Sequence, residues 1–191
     1  MTEALEVIGH LLVHLHRHTP PSSAPLRTLA DVGATHLAHA RWVTVPDGEL
    51  AAAIDGCAGA LADVLPEPGD RLLHWDLHFT NVLAPLPGAP AAERGDWLAI
   101  DPKPLIGDPG YELLPSIHNR WDEALATGDP AREALRRFDL LTEVVGVERD
   151  RATAWTLARC LANLLWLLEG HAAWFREPDL VVARALLGRR R

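Results

Sequence analysis

Two short segments of the sequence carry the side chains best suited to chemistry. The first, His74–Asn81, reads His-Trp-Asp-Leu-His-Phe-Thr-Asn, and the second is Ile100-Asp101, about twenty residues later. The apolar pairs Leu72-Leu73 and Val82-Leu83 flank the first segment, so we expect a loop held between two short strands. Two carboxylates, an amide and a histidine are the groups that phosphoryl transfer from a nucleotide requires.

Asp76 is the residue we expect to act as the catalytic base. A carboxylate beside an acceptor hydroxyl can take its proton as the bond to phosphorus forms, and position matters more than a raised pKa. A turn aspartate that caps its own backbone is the simpler interpretation of a lone Asp in a loop. Because His74 precedes Asp76 by two residues and Asn81 follows it by five, the catalytic interpretation is favoured.

Asn81 and Asp101 are the expected magnesium ligands. Mg²⁺ prefers oxygen ligands and keeps several waters, so one amide, one carboxylate and the phosphates of a nucleotide suffice. The structural alternatives are a turn amide for Asn81 and a cap before Pro102 for Asp101. We favour the ligand role for Asp101 because it follows the apolar segment 97–100, where burying an unneeded carboxylate would be costly.

Four further residues are expected to support the loop. His74 should orient the loop backbone and the metal-binding aspartate through hydrogen bonds. His78 either lines the site or only packs the loop. Asp108 either hydrogen-bonds the loop or, as we prefer, caps the following helix. Lys103, between two prolines, either contacts phosphate or occupies a rigid, exposed loop position.

Composition narrows the class of partner. The chain has 191 residues and a net charge of −8, and Lys103 is the only lysine among 18 basic residues. This balance argues against a nucleic-acid or anionic-membrane partner and fits a cationic or neutral small substrate; Asp122 and Glu123 point weakly to a cationic one. No membrane span or leader pattern is predicted, Cys57 and Cys160 should be buried free thiols, and a cytoplasmic location is expected.

Hydrophobic periodicity predicts an α+β fold that is mostly helical, with a small β segment between two groups of helices. Trp155, Trp166 and Trp174 lie at near-helical spacing and are predicted to be core residues. Helices are predicted at 4–16, 26–42, 48–65, 112–123, 131–145, 148–169 and 177–188, strands at 71–73, 81–84 and 97–100, and a loop at 102–111.

Three segments of this sequence resemble the aminoglycoside phosphotransferase superfamily. They are Leu73–Leu83 with its His-x-Asp-Leu-His-x-x-Asn core, Trp97–Pro104 with Ile-Asp-Pro-Lys-Pro, and Gly107–Leu113. The Ile-Asp-Pro-Lys-Pro form resembles the streptomycin 6-kinase and hydroxyurea phosphotransferase branch most closely. Trp75 replaces the glycine most common in that family, and Glu112 stands where the family usually has aspartate.

The resemblance implies a fold, a reaction and a set of roles. Residues 1–191 would form the C-terminal lobe of a protein-kinase-like fold, with a small β-hairpin insertion carrying the catalytic loop 74–81 and a metal-binding segment at 100–104. Asp76 would be the base, with Asn81 and Asp101 holding Mg²⁺. ATP would be the co-substrate, and the acceptor an alcohol group of an aminoglycoside-like molecule or another small metabolite.

The resemblance covers only the C-terminal lobe of a bilobed kinase. The other lobe carries a glycine-rich loop and a phosphate-anchoring lysine. This sequence has no Gly-x-Gly-x-x-Gly motif and no lysine before the catalytic loop. We therefore expect an absent N-terminal lobe: the chain is truncated, its start is misassigned, or the lobe comes from elsewhere. Activity of the chain alone is left open.

Two other functions are compatible with parts of the sequence. A remnant lobe could bind small molecules without turnover, which the missing lysine and phosphate loop would favour. A metal hydrolase could use the alternating His74, Asp76 and His78 with His118 as ligands. The hydrolase would leave Asn81 and the Asp101-Pro-Lys-Pro segment unexplained.

Overall fold

Helices account for most of the chain, in the order that the sequence predicts. The computed structural model describes residues 2–21, 23–45, 47–171 and 176–190. Helices precede and follow a small β region, so the α+β prediction is confirmed at this level. The described helices are α1 (Thr2–His16), α2 (Leu29–Ala40), α3 (Gly48–Val64), α4 (Leu114–His118), α5 (Trp121–Ala126), α6 (Pro130–Val145), α7 (Arg149–Leu168) and α8 (Arg176–Arg189).

The β region consists of two small sheets. In the first, the order is β1-β5-β2: β5 pairs with β1 in parallel and with β2 in antiparallel register, with Leu72 opposite Ile106. The second is an antiparallel hairpin of β3 and β4. The strands are β1 (Arg27–Thr28), β2 (Arg71–Leu73), β3 (Val82–Leu83), β4 (Leu98–Ala99) and β5 (Leu105–Gly107).

The loop 74–81 joins the two sheets rather than lying inside a hairpin insertion. It begins where β2 ends, and its last turn is a 3-10 helix, Phe79–Asn81, that leads into β3. The hairpin therefore starts only after the loop, which differs from the predicted arrangement. Because both ends of the loop continue into paired strands, its backbone is fixed on either side.

Two predicted elements are wrong. The segment 102–111, predicted to be a loop, contains β5 and a 3-10 helix, Pro109–Glu112. Proline and glycine punctuation masked β5, whose hydrogen bonds come from strands distant in sequence. The predicted helix 112–123 is interrupted between α4 and α5, where Arg120 adopts a left-handed φ of 51° that no α-helix accommodates.

Helix α7 forms the centre of the core. It packs against α3, α8 and the 3-10 helix Pro109–Glu112, while α1 packs against α6. Trp155 on α7 is fully buried, as predicted, but Trp166 is 46% exposed, so its predicted core position is wrong. Trp166 lies near the end of α7, where fewer elements cover the helix. Trp174 lies outside the described residues.

Cys57 and Cys160 are buried and free, as expected. Burial raises the pKa of the Cys57 thiol to about 12 and also raises that of Cys160 well above its ordinary value. Both side chains therefore remain protonated and act as small apolar groups in the core.

Side-chain caps begin the long helices of the C-terminal half. Asp129 accepts a hydrogen bond from the Arg132 amide, and Pro130 is the first residue of α6, a position that proline favours. Glu148 caps α7 by accepting from the amides of Asp150 and Arg151. Caps of this kind are worth about 1 kcal/mol each.

None of the described helices combines the length and apolar character that crossing a membrane requires.

Gly69 fixes the approach of β2 to the sheet. Its φ is +78°, and a Cβ placed on it would lie 2.7 Å from backbone atoms of Gly107 and Asp108. Only glycine satisfies both the left-handed conformation and the close approach. The start of β2, and with it the position of the following loop, depends on this contact.

Candidate active site

The loop 74–81 is anchored by hydrogen bonds from three directions. Buried His74 donates from Nε2 to the carbonyl of Ile100 (3.0 Å), and the Lys103 amide donates to the His74 carbonyl (2.9 Å). Leu77 is buried, and its carbonyl accepts from the buried hydroxyl of Ser116 (2.8 Å). His74 thus ties the loop to the segment 100–104, which the sequence analysis predicts to bind metal.

Glu112 is a further anchor that sequence reasoning did not identify. It is 1% exposed; Oε1 accepts from the amide of Trp75, and Oε2 lies 2.9 Å from Nε2 of His16. A buried carboxylate with two polar partners is costly to remove, because its partners would lose their hydrogen bonds. The carboxylate at position 112 was the available signal, but its distant partners in α1 and the loop were not predictable.

The backbone at Trp75 adopts a conformation that favours glycine. Its φ of 67° is in the left-handed region, which side chains other than glycine rarely adopt. The half-buried Trp75 ring packs against the core, with the guanidinium carbons of Arg27 and Arg159 at 5.1 and 5.7 Å from its centroid. These contacts offset part of the backbone cost.

Asp76 opens onto a cavity of about 720 Å³. Its carboxylate forms an ion pair with Nζ of Lys103, and Oδ1 lies 3.9 Å from Nε2 of His78. The Asp76 side chain is 21% exposed, so it is reachable rather than sealed in apolar packing. The turn-cap alternative is not what the geometry favours, because the carboxylate contacts side chains that line the cavity.

Asn81 and Asp101 are connected through the backbone next to Asp76. Asn81 Nδ2 donates to the Asp76 carbonyl (2.8 Å), and the Ile100 amide donates to the Asn81 carbonyl (3.0 Å). The Asn81 side-chain oxygen makes no hydrogen bond among the described residues, and neither does the Asp101 carboxylate. One amide and one carboxylate oxygen therefore remain available, which is the type of donor set that Mg²⁺ prefers.

Asp101 is exposed, so the sequence argument from burial cost is wrong. The preceding residues Trp97 and Ile100 are themselves exposed, because the hairpin is covered on only one side. A different feature marks the position: Asp101 has a left-handed φ of 56°. Strained backbone of this kind concentrates at functional sites.

His78 both lines the cavity and packs the loop. Nδ1 lies 3.0 Å from the Thr80 hydroxyl, and Nε2 lies 3.4 Å from Asn81 Nδ2. Burial lowers the pKa of His78, and Asp76 opposes this only in part. Neutral imidazole at pH 7 can share hydrogen bonds with Thr80 and Asn81, so both roles weighed for this residue are present in one side chain.

Asp108 acts on the segment that follows it. Oδ1 caps the 3-10 helix Pro109–Glu112 by accepting from the Gly110 amide (2.8 Å), and Oδ2 accepts from Nε of Arg151 (2.6 Å). Within the described residues it makes no hydrogen bond to the loop 74–81. The preferred capping role is therefore the one that its hydrogen bonds fit.

The acidic residues that suggested a cationic acceptor lie elsewhere. Glu123 pairs with Arg120, whose guanidinium carbon lies 5.4 Å from the Phe79 ring centroid and so supports the loop. Neither Asp122 nor Glu123 lines the cavity. The basic residues that do line it are Arg27, Lys103 and Arg159.

The ligands that the metal-hydrolase alternative requires are not grouped among the described residues. Among the described residues, no three His, Cys, Asp or Glu side chains form a group able to hold a metal ion. His74 is engaged with a carbonyl, and His118 contacts Asp179 at 2.5 Å. The alternating residues of the loop do not share one face, because the loop is not a strand.

The family model and the similar proteins all indicate the same family. The family model described as aminoglycoside/hydroxyurea antibiotic resistance kinase matches residues 1–170. Streptomycin 6-kinases from Streptomyces griseus and Streptomyces glaucescens are each 43% identical, over 96% and 97% of this chain and 58% of their own length. Hydroxyurea phosphotransferase from Kitasatospora aureofaciens is 49% identical over 97% of this chain and 50% of its own. The chain thus spans about half the length of these relatives. It belongs to the aminoglycoside/hydroxyurea antibiotic resistance kinase family.

Proposed function

We propose that this chain carries the catalytic and metal-binding residues of an ATP-dependent phosphotransferase that acts on a hydroxyl of a small molecule. Residues 1–191 would be the C-terminal lobe of a kinase-like fold. The acceptor class follows the relatives, named for streptomycin and hydroxyurea: an aminoglycoside-like compound or another small metabolite. The observation that carries the proposal is Asp76, which opens onto a large cavity from a loop anchored at both ends.

The proposed reaction uses Asp76 as the base. The acceptor hydroxyl, bound in the cavity, forms a bond from its oxygen to the γ-phosphorus of ATP while Asp76 takes its proton. The bond between that phosphorus and the β-γ bridging oxygen breaks, and ADP leaves with the electron pair. A fixed carboxylate supports this step, because misplacing a catalytic group by about 1 Å can cost about 10²-fold in rate.

Asn81 Oδ1 and the Asp101 carboxylate would hold Mg²⁺. The ion would neutralise charge on the phosphates during transfer. The hydrogen bond from Asn81 Nδ2 to the Asp76 carbonyl couples the metal ligand to the base, so that the two keep a constant spacing. The amide of Asn81 therefore serves both purposes, one through each of its polar atoms.

Lys103 would exchange partners during the reaction. Its side chain is 60% exposed and pairs with Asp76, while its amide is held by the His74 carbonyl. The ammonium group could turn towards a phosphate oxygen without moving the backbone, which would release Asp76 for the acceptor. This supports the predicted phosphate contact as a role in the bound state.

A binder without turnover is the second candidate. The observation in its favour is that the only lysine of the sequence occupies the proposed base. A protein of this type would bind Mg²⁺–ATP or a small hydroxylated molecule in the cavity and leave both unchanged.

The test compares phosphate transfer and nucleotide binding in purified protein. We expect transfer from Mg²⁺–ATP to an acceptor in a panel that includes streptomycin and hydroxyurea, and we expect Asp76→Asn to lower kcat by about 10²–10⁴-fold. The control is Asp55→Asn, an exposed aspartate on α3 that should keep full activity. Calorimetric binding of Mg²⁺–ATP without transfer would support the binder, and an active Asp76→Asn variant would refute the assigned base.

A further inference from the structure

Asn163 on α7 is a buried amide in the wall of the cavity onto which Asp76 opens. It is 6% exposed, and its Nδ2 has no hydrogen-bond partner among the described residues. Its neighbours along the helix, Leu161, Leu164 and Leu165, are buried core residues. A leucine would therefore suit this position, whereas a buried N–H group without a partner is costly. The amide calls for an explanation other than the packing of the helix.

Two other donors without a partner belong to the same cavity. Nε1 of Trp75 and Nε of Arg159 are buried and make no hydrogen bond within the described part of the chain, and both residues line the cavity. Their side chains stack on each other, with the guanidinium carbon 5.7 Å from the ring centroid. Buried donors that gather at one cavity indicate hydrogen-bond acceptors on a molecule that fills it.

The fold holds Asn163 in a fixed relation to the proposed base. Asn163 follows Arg159 by four residues, so the two side chains share one face of α7, about 6 Å apart along the helix axis. Arg159 contacts the ring of Trp75, the residue before Asp76. Helix α7 also packs on the 3-10 helix that contains Glu112, which accepts from the Trp75 amide. Asn163 and Asp76 are thus kept in one cavity by the same set of core contacts.

Other uncharged hydrogen-bonding groups line this cavity too. Thr35 and Asn119 are among them. His36 is another, and it is neutral at pH 7 because burial, with a smaller contribution from nearby arginines, lowers its pKa to about 4. Neutral groups of this kind suit hydroxyl and carbonyl oxygens, which are themselves uncharged.

We propose that the Asn163 amide binds the acceptor molecule, with Nδ2 donating a hydrogen bond to an uncharged oxygen, a hydroxyl or a carbonyl. This inference rests on the proposed function, because it assigns the cavity to the molecule whose hydroxyl meets Asp76. The last torsion of an asparagine side chain is only weakly restricted, so Nδ2 can turn from its buried position towards the cavity. The amide carries no charge, and the contact is therefore compatible with cationic and neutral acceptors alike.

Thermal unfolding separates a binding role from a structural one. Asn163→Leu keeps a similar side-chain volume and removes both polar atoms. Because Nδ2 has no partner to lose among the described residues, we expect the melting temperature of the unliganded protein to stay the same or rise. A fall of more than about 5 °C would identify an amide that holds the fold together and would overturn the proposal.

Acceptor binding is measured by isothermal titration calorimetry without nucleotide. The probes are streptomycin and hydroxyurea from the panel above, and the variants are compared with the probe that the wild-type protein binds more tightly. Asn163→Leu should weaken binding about tenfold, the contribution of one hydrogen bond. Asn163→Gln keeps the NH₂ donor and should retain part of the affinity. Unchanged binding in Asn163→Leu, or no binding of either probe by the wild-type protein, would overturn the proposal.

Thr156→Val is the matched control. Thr156 lies on the same helix, is fully buried and has an Oγ1 atom without a described partner, but it does not line the cavity. Valine has nearly the same shape without the hydroxyl, so this variant should keep both the melting temperature and the acceptor affinity. Equal loss of acceptor affinity in Thr156→Val and Asn163→Leu would overturn the assignment, because the effect would not depend on the cavity wall.

Steady-state kinetics separate this inference from the proposed function. Asn163→Leu should raise the KM for the acceptor about tenfold and leave the KM for Mg²⁺–ATP unchanged. A higher KM for Mg²⁺–ATP with an unchanged acceptor KM would assign Asn163 to the nucleotide and overturn the proposal. Acceptor binding that depends on Asn163, without any phosphate transfer by the wild-type protein, would count against the proposed function alone. Transfer with an unchanged acceptor KM in Asn163→Leu would count against the role of Asn163 alone.

Discussion

The two segments that form the proposed site are held very differently. The loop 74–81 is fixed by buried groups, chiefly Glu112, Ser116 and the imidazole of His74. The hairpin that precedes the proposed metal-binding segment 100–104 has only two-residue strands and leaves large apolar side chains open to solvent. These exposed residues are Leu83, Leu86, Trp97 and Ile100.

The difference separates the tasks of the two segments. Asp76 is positioned by the folded core, so the proposed base would be in place before any ligand binds. Asp101 lies after a short hairpin and is held through hydrogen bonds of its neighbours Ile100 and Lys103 to His74 and Asn81, which is weaker support than burial. Ligand binding should therefore stabilise the hairpin more than the loop.

The largest effect should come from the buried anchor of the loop. Glu112→Leu leaves His16 and the Trp75 amide without a partner, so we expect the free energy of unfolding to fall by about 3–5 kcal/mol. The measurement is urea denaturation. The matched change on the hairpin side, Glu93→Leu at an exposed position, should cost less than about 0.5 kcal/mol. Equal losses would break the comparison.

Two glycines with nearly the same φ give a second test of the difference between the β2 side of the site and the hairpin. Gly69 (φ +78°) would place a Cβ against the backbone of Gly107, whereas Gly88 (φ +75°) in the hairpin has open space around it. Gly88→Ala should cost about 1–2 kcal/mol for the left-handed conformation alone. Gly69→Ala should cost about 1–3 kcal/mol more, because backbone must move. Differential scanning calorimetry measures both, and similar melting temperatures would contradict the proposed close approach.

The smallest expected effect is the pH dependence of stability that His36, beside the cavity, should cause. The pKa of His36 is lowered from 6.5 to about 4, so between these values the unfolded state binds a proton that the folded state does not. This difference in proton binding leaves the free energy of unfolding unchanged above about pH 6.5. It lowers that free energy increasingly as the pH falls towards 4. The substitution His36→Gln removes this proton-linked loss. Its effect on the free energy of unfolding should therefore be more favourable at pH 5 than at pH 7 by about 1–2 kcal/mol.

The control for this experiment is His10→Gln, since His10 is exposed on α1. Urea denaturation at pH 5 and pH 7 supplies the four free energies that are needed. The interpretation would be wrong if both variants responded to pH in the same way.

Local signals made the loop predictable. The apolar pairs Leu72-Leu73 and Val82-Leu83 predicted the strands on either side of the loop, because such patterns depend on residues close in sequence. The hydrogen bond of the Asn81 side chain to the Asp76 carbonyl also follows from this proximity.

Contacts between distant residues were not predictable. Glu112 reaches His16 across 96 positions, and β1 consists of only two residues whose pairing with β5 no periodicity could indicate. The same holds for Arg27 and Arg159, which are ordinary basic residues until folding brings them to one ring. The exposure of Asp101 was missed because an apolar strand was assumed to be covered on both faces.

The pairing of Lys103 with Asp76 has a practical consequence. An amine-directed reagent will modify only this side chain and the terminal amine, since the sequence contains no other lysine. Reductive methylation with ¹³C-formaldehyde would thus install a single side-chain reporter at the proposed base. Its NMR signal would follow, without any further engineering, whether nucleotide or acceptor displaces the ammonium group.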